Sequence, residues 1–214
     1  MNRNRNIGVA SAVFAVIGTP HAWAQDEVTK SYDLAGFDMI DIAGVYELEV
    51  EVGSPFSITL TGPKREMSLA KVSVRDGVLY LDREKEDQGI HRDGIDAVIT
   101  LPNLKALEVS GVVAGEISGV DVDQFNLDLS GVGDLKVSGQ CSSLEAKVSG
   151  VGDLNAEDLQ CGEVTVKVSG VGSASVYARQ SVDARVTGMG DIEVFGSPED
   201  VRKNGSMFSD ITIH

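Results

Sequence analysis

The sequence predicts an all-β fold, a parallel β-helix (β-solenoid) with about 19–20 residues per coil. Three observations lead to this prediction. A tripeptide of the Ser-Gly-Val type recurs at a nearly constant spacing, the residues between its copies alternate between apolar and polar, and no segment between the copies contains a helical run of ten residues. A helical solenoid is therefore excluded.

The recurring tripeptide occurs five times in the C-terminal half, at spacings of 20, 19, 20 and 18 residues. Three copies continue as Gly-Asp and one as Gly-Ser, and residues 206–210 resemble a degraded sixth copy. We call this tripeptide the marker. Its copies are Ser110-Gly111-Val112, Ser130-Gly131-Val132, Ser149-Gly150-Val151, Ser169-Gly170-Val171 and Thr187-Gly188-Met189.

Strands are predicted before each marker because apolar residues recur there with a period of two, as in Ala146-Lys147-Val148-Ser149. We expect about three short strands per repeat, for instance 134–138, 144–148 and 151–154. Burying the roughly five aliphatic side chains of a repeat contributes about 8–15 kcal/mol, whereas ordering the repeat costs roughly 20–40 kcal/mol. A repeat therefore cannot fold alone, and successive repeats must stack around one aliphatic core.

The chain divides into three predicted parts. Residues 1–24 are a signal peptide, residues 25–103 are the N-terminal β-rich part of the solenoid with capping strands and a charged loop near 82–96, and residues 104–214 are the regular repeats. Residues 101–104 lead into the first repeat without a linker-like stretch. One continuous solenoid is therefore expected, with a separate first domain as the alternative.

The first 24 residues have the composition of a secretory signal peptide. Arg3 and Arg5 precede an apolar run at 7–17, and Ala22-Trp23-Ala24 supplies the small residues of an A-x-A cleavage site. A membrane anchor needs about 20 apolar residues, and this run is too short. We therefore expect an exported chain, in the periplasm, at the outer-membrane surface or outside the cell, with no transmembrane span after processing.

Composition and charge exclude several classes of partner. The 214 residues include 18 Lys and Arg against 33 Asp and Glu, and removing the two arginines of the signal peptide takes the net charge from −15 to −17. This leaves no basic surface to neutralise phosphates, so nucleic acid and anionic lipid are not expected partners. Because only 5% of the residues are aromatic, the core must be built mainly from Val, Leu, Ile and Ala.

The chain resembles the putative auto-transporter adhesin head GIN domain family of exported bacterial proteins, from about Phe37 to the C-terminus. The resemblance lies in the opening segment 37–52, Asp76-Gly77-Val78-Leu79, the phrase at 99–104, the recurring Ser-Gly-Val-Gly-Asp and the closing segment 188–198. It implies a single-stranded right-handed β-helix and an envelope or surface location. The family brings no catalytic motif. The sequence departs from its pattern at Val113-Ala114 and Ser173, where the Gly-Asp continuation is lost.

Asp134, Asp153 and Asp191 share one offset from the marker, which puts Asp134 and Asp153 about 4.8 Å apart in neighbouring coils. They could chelate a hard cation such as Ca²⁺. Alternatively, each Gly-Asp pair makes a corner, with glycine supplying the backbone angles and aspartate bonding nearby amides. Turn chemistry favours the corner, so we expect no cofactor. The expected repeat-corner glycines are Gly111, Gly131, Gly150, Gly170 and Gly188.

The two cysteines, Cys141 and Cys161, each lie eight residues before a marker serine. Equivalent positions in adjacent coils place their Cα atoms about 4.8 Å apart, within the range that a disulfide accepts. An oxidising compartment favours the bond. The alternative is a stacked pair of free thiols that act as small hydrophobic residues.

A column of exposed side chains is predicted two residues before the markers, and it changes from acidic to basic along the stack. Such a mixed face either is simply solvated or docks a partner. The hydroxyls of the marker residues form a second column beside it, and stacked hydroxyls more often serve turns than nucleophilic catalysis. The charged column consists of Glu108, Asp128, Lys147, Lys167 and Arg185.

These features predict a noncatalytic exported β-helix that presents a binding surface at the cell envelope, as an adhesin would, to an unidentified envelope, surface or polysaccharide ligand. A carbohydrate-active enzyme or lectin is one alternative, because β-helical folds include polysaccharide lyases and hydrolases. His91 and His214 are the only histidines after the signal peptide, which disfavours a His-based nucleophile, and Tyr177 is the one aromatic residue within the repeats that suggests sugar binding. A structural or self-assembling envelope protein is the third possibility, because stacked sheets can add end to end. The oligomeric state is left open.

Overall fold

The computed structural model describes residues 27–84, 94–207 and 209–214. These residues form one sheet of fifteen strands and one short helix. The predicted signal peptide at 1–24 and residues 85–93 of the predicted charged loop lie outside the described part, and the strands that flank this loop extend to Arg83 and from Ile95. The elements are β1 Glu27–Tyr32, β2 Met39–Ile42, β3 Val45–Val52, β4 Ser57–Pro63, α1 Lys64–Leu69, β5 Ala70–Arg75, β6 Val78–Arg83, β7 Ile95–Leu101, β8 Ala106–Val109, β9 Val112–Leu129, β10 Leu135–Val148, β11 Leu154–Val168, β12 Ala174–Val186, β13 Ile192–Phe195, β14 Asp200–Asn204 and β15 Ile211–Ile213.

The repeats stack in parallel, as the periodicity predicts. Strand β10 pairs with β9 on one side and β11 on the other, and β11 pairs with β12. The register offset equals the repeat length, so that Val148 lies opposite Leu129 and Val168. Each repeat contributes one long, bent strand and a single bridging residue in the marker rather than three short strands. The bends coincide with shifts of register, such as the one between Val137 and Gly139.

Columns of aliphatic side chains form the core. The apolar residue just before each marker is buried, and so is the residue two positions earlier, because side chains of a strand alternate between its two faces. One column runs through Val109, Leu129, Val148, Val168 and Val186, all with at most 2% of their surface exposed. Phe125 is the largest fully buried side chain.

The N-terminal part does not follow sequence order along the stack. Strands β2 and β3 pair with β8 and β9 on one side and with β6 and β7 on the other. The chain therefore passes outward to β6 and β7 before it returns to begin the regular repeats. Strands β1, β4 and β5 add antiparallel pairs at this end, and α1 buries Glu66 and Met67 against it.

Candidate binding surface

Only glycine fits at the centre of each marker, because the backbone of the preceding repeat leaves no room for a side chain. A side-chain carbon on Gly131 would lie 2.0 Å from the carbonyl oxygen of Gly111, and one on Gly170 would lie 1.8 Å from that of Gly150. Gly44 extends this column by one position, because a side-chain carbon on Gly111 would meet its carbonyl oxygen at 2.0 Å. The marker glycines do not have positive φ. Their role at the corner is to let one backbone approach the next.

The second glycine of the pattern has a different role. Gly133, Gly152 and Gly172 have φ of +149°, +147° and +155°, a conformation that favours glycine. Each also packs against the carbonyl oxygen of the equivalent residue one repeat earlier. Between the two glycine columns, the third residue of each marker projects outward. These exposed apolar residues are Val112, Val132, Val151, Val171 and Met189, with 38–59% of their surface exposed, and we call them the apolar ridge.

The aspartates bond backbone amides of the next repeat. The Asp153 amide donates to Asp134 Oδ1 (3.1 Å), and Asp153 Oδ1 accepts from the amide and the hydroxyl of Ser173 (2.8 and 2.7 Å). Asp191 Oδ1 accepts from the Asp210 amide at 2.9 Å. Ser173 occupies the next position of this column, between Asp153 and Asp191. Among the described residues no group of three His, Cys, Asp or Glu side chains is arranged to hold a metal ion.

The marker hydroxyls also bond backbone. Ser110 Oγ donates to the carbonyl of Ile42, and Ser130 Oγ donates to the carbonyl of Val109, at 3.3 and 3.2 Å. Both bonds reach the neighbouring repeat. These hydroxyls therefore contribute to the stacking of repeats.

Cys141 and Cys161 are opposite each other in the β10–β11 ladder and are joined by a disulfide, with their Cα atoms 4.5 Å apart. Cys161 is fully buried and Cys141 is 8% exposed. The bond lies just C-terminal to the register shift between β10 and β11, which falls between Lys136 and Gly139. It links two adjacent repeats at the floor of a surface groove.

This groove has a volume of about 710 Å³ and was not predicted from the sequence. Its walls come from the segment before β8 and from the bends of β9, β10 and β12, so residues far apart in the chain meet there. Most of its side chains are exposed and polar. Arg179 Nη2 donates to Gln160 Oε1 at 2.8 Å beside it. We call it the disulfide groove; its lining includes Asn103, Lys105, Asp121, Asp123, Gln140 and Arg179.

The predicted charged column lies on the outer face of the strands that precede the markers. Glu108 pairs in register with Asp128, Asp128 with Lys147, Lys147 with Lys167, and Lys167 with Arg185. Asp41 of β2 adds a sixth position next to Glu108, which the sequence did not reveal because β2 precedes an unrecognised marker. Burial raises the pKa of the Asp41 carboxyl, and the neighbouring charge of Asp82 adds to the effect.

Lys147 of the predicted column lies beside Glu145, two residues earlier on the same strand. A hydrogen bond and an ion pair with Glu145 (3.0 Å) raise the pKa of Lys147, and the carboxylates of Asp128 and Glu108 contribute further. The same hydrogen bond lowers the pKa of Glu145. These are surface ion pairs of adjacent side chains, an arrangement typical of a solvated sheet face.

The aromatic residue singled out in the repeats, Tyr177, lies opposite Phe195 in the β12–β13 ladder. The Phe195 ring stacks on His214 with centroids 4.6 Å apart, and His214 Nε2 is 4.0 Å from Glu193. His91 lies outside the described residues. Tyr177 therefore neighbours this ring pair by backbone register at one end of the stack.

A family model described as "Putative auto-transporter adhesin, head GIN domain" matches residues 36–198. The chain belongs to this family. The resemblance predicted from the sequence is thereby confirmed, and the stacked markers, the disulfide groove and the whole charged column lie within the head GIN domain.

Solved structures that are similar to this chain include two putative adhesins. One is from Bacteroides fragilis, with 25% identity and a TM-score of 0.75, and the match covers 89% of this chain and 98% of that one. The other, from Parabacteroides merdae, has 18% identity and a TM-score of 0.51, covers 88% and 96%, and supports the fold alone. No curated protein matches the chain. Within the described residues, no helix combines the length and apolar character that crossing a membrane requires.

Proposed function

We propose that this head GIN domain protein is an exported, noncatalytic binding protein of the bacterial cell envelope or surface, similar in role to an adhesin. The observation that carries the proposal is the likeness to the B. fragilis putative adhesin, which spans nearly the whole of both chains. Family membership over residues 36–198 supports it independently. The exposed column of charges and the polar groove supply the binding surfaces that such a role requires.

The architecture that we propose is a single-stranded right-handed parallel β-helix, with regular repeats over 104–214 and a capping N-terminal part over 25–103. Parallel pairing at an offset of one repeat supports the solenoid, and the family resemblance supports its handedness. The signal peptide at 1–24 belongs to the same proposal. Mass spectrometry of the exported protein tests this part: we expect a chain that begins at Gln25, and a mass that retains residues 1–24 would contradict export by cleavage.

We infer that the disulfide groove contacts the external ligand. Asn103, Gln140 and Asp123 present amides and a carboxylate, while Lys105 and Arg179 add donors. Side chains of these types hydrogen-bond hydroxyl groups in both directions. A groove of this size and polarity suits a hydroxyl-rich ligand such as a polysaccharide.

A glycan array probed with the processed protein tests the ligand class, and the variant N103A/Q140A tests the site. Because each of the two amides contributes about 1 kcal/mol through its hydrogen bonds, we expect about thirtyfold weaker binding to any glycan that the wild type retains. The variant Q180A/N204A removes two amides outside the groove lining and is the matched control. Equal binding by all three proteins would exclude the groove as the contact.

The same preparations distinguish binding from catalysis. A reducing-sugar assay on each bound polysaccharide measures cleavage of glycosidic bonds. We expect no increase in reducing ends with time. Turnover of any polysaccharide would overturn the noncatalytic assignment and favour a carbohydrate-active enzyme.

A further inference from the structure

Six charged residues form one uninterrupted column across six stacked strand segments, in the order Asp41, Glu108, Asp128, Lys147, Lys167 and Arg185. Three carboxylates occupy the first three positions and three cations the last three. At about 4.8 Å per step, the column is roughly 24 Å long. We call it the charge column.

Grouping the negative side chains at one end of the column and the positive side chains at the other is electrostatically unfavourable within one molecule. Like charges directly opposite each other on neighbouring strands are destabilising, whereas opposite charges stabilise. An alternating order would place an opposite charge beside every member, but here only Asp128 and Lys147 are neighbours of opposite sign. Part of the repulsion is relieved from the side, because Lys147 pairs with Glu145 and Arg185 with Asp183, two residues earlier on the same strand. The carboxylates at the other end lack a charged partner at the corresponding position. The residues two positions before Asp41, Glu108 and Asp128 are Met39, Ala106 and Asn126.

The order becomes favourable when two copies meet. Consider two copies that face each other through this surface and are related by a twofold axis in the interface plane. If the axis is perpendicular to the column and passes midway between Asp128 and Lys147, the carboxylate half of one column faces the cationic half of the other. Asp128 then meets Lys147 of the second copy, Glu108 meets Lys167, and Asp41 meets Arg185. We propose that this face is a homodimer interface in which two copies of the chain pack antiparallel through their charge columns.

Net charge favours this face over the outer face of β3, β7 and β9. The chain carries a net charge of −15, but the charge column holds equal numbers of the two signs, so bringing two columns together adds no net repulsion along them. The outer face of β3, β7 and β9 is different, because Glu47, Glu49, Asp96 and Glu116 surround one concavity there. Two copies facing each other through that surface would stack acid on acid.

The apolar ridge provides further contact area beside the charge column. Each ridge residue follows a column member by four positions, so that Val132 follows Asp128 and Val151 follows Lys147. Exposed apolar rows of this length are uncommon on a monomer and mark interaction sites. The ridge alone is too small for a stable dimer, which buries about 800 Å² per partner. Ridge and column together extend the interface, while the charges set its orientation.

Sedimentation equilibrium of the processed protein over a range of concentrations tests the proposal with two complementary variants. K147E/K167E makes every member of the column acidic except Arg185, and E108K/D128K makes every member basic except Asp41. We expect the wild type to show a monomer–dimer equilibrium. Each variant alone should dimerise at least about tenfold more weakly, because opposite pairs become like pairs. An equimolar mixture of the two variants should form a heterodimer, because every exchanged pair is again of opposite sign.

The control K71E/K136E makes the same change in net charge as K147E/K167E with lysines outside the column, and it should dimerise like the wild type. Circular dichroism of each variant checks that the fold is retained. A wild type that stays monomeric at all concentrations, variants that dimerise normally, or a mixture that stays monomeric would each overturn the proposal. Sedimentation needs no external ligand, so failure here leaves the glycan measurements intact, and the reverse holds.

Discussion

A side-chain carbon on Gly150 would lie 1.7 Å from the carbonyl oxygen of Gly131, the equivalent residue one repeat earlier. Carbon and oxygen atoms cannot approach this closely, so the two repeats must separate if Gly150 acquires a side chain. We therefore expect G150A to lower the free energy of unfolding by about 1–3 kcal/mol, the usual cost of inserting a methyl group where there is no room. Urea unfolding followed by circular dichroism measures the difference.

Gly94 provides the matched control for this substitution. It has no positive φ, and a side-chain carbon there would meet no atom within 4 Å. G94A should change the free energy of unfolding by less than about 0.5 kcal/mol. Equal midpoints for G150A and G94A would contradict the close stacking of the marker glycines.

Asp153 links two repeats through its carboxylate, which accepts hydrogen bonds from the amide and the hydroxyl of Ser173. D153A removes the acceptor, and we expect a loss of about 1–2 kcal/mol. D153N keeps an acceptor oxygen at the same place and should retain most of this stability. If the carboxylate instead served a cation, D153N would be as damaging as D153A, and Ca²⁺ would raise the melting temperature of the wild type alone.

The repeated C-terminal half could be predicted from the sequence because its repeats are nearly equal in length. A constant spacing fixes which residues become neighbours, so the positions of Gly131, Cys141 and Lys147 relative to the next repeat follow from counting. Gly44 was not recognised as a marker glycine because its tripeptide begins with alanine and because several strands separate it from Gly111. Counting residues could not predict the placement of β6 and β7 outside β2 and β3 either, because this placement depends on pairing between distant segments.

The disulfide groove shows a second limit of the sequence. Its walls come from bends where the repeats differ in length, such as the shift between Ala156 and Gln160 opposite β12. A periodic pattern predicts what repeats share, whereas the groove arises where they differ. No sequence pattern therefore indicated that Asn103 and Arg179 would line the same groove.

Stability above pH 10 should depend on Tyr46. Burial raises the pKa of its hydroxyl to about 12, with smaller contributions from Tyr32 and Asp82. In the unfolded chain the pKa is near 10, so between pH 10 and 12 the unfolded state releases this proton while the folded state keeps it. The stabilisation is complete below pH 10 and is lost as the pH rises toward 12, by roughly 2–3 kcal/mol.

The substitution Y46F removes the ionisable group and keeps the ring. We expect its free energy of unfolding to fall less steeply than that of the wild type between pH 10 and 12. Absorbance at 295 nm, which reports tyrosine ionisation, should show one fewer late-titrating group in the variant. Parallel stability curves for the two proteins would show that Tyr46 titrates normally.

The disulfide should contribute strongly to stability because it joins two repeats directly. Cys141 and Cys161 are 20 residues apart, and closing a loop of this length restricts the unfolded chain by about 3 kcal/mol. Thiol titration of the exported protein, denatured without reductant, should find no free thiol, and two free groups would contradict the bond. The double variant C141A/C161A should unfold at lower urea concentration than the oxidised wild type. Adding reductant should lower the wild-type midpoint and leave that of the variant unchanged, because only the wild type has a bond to lose.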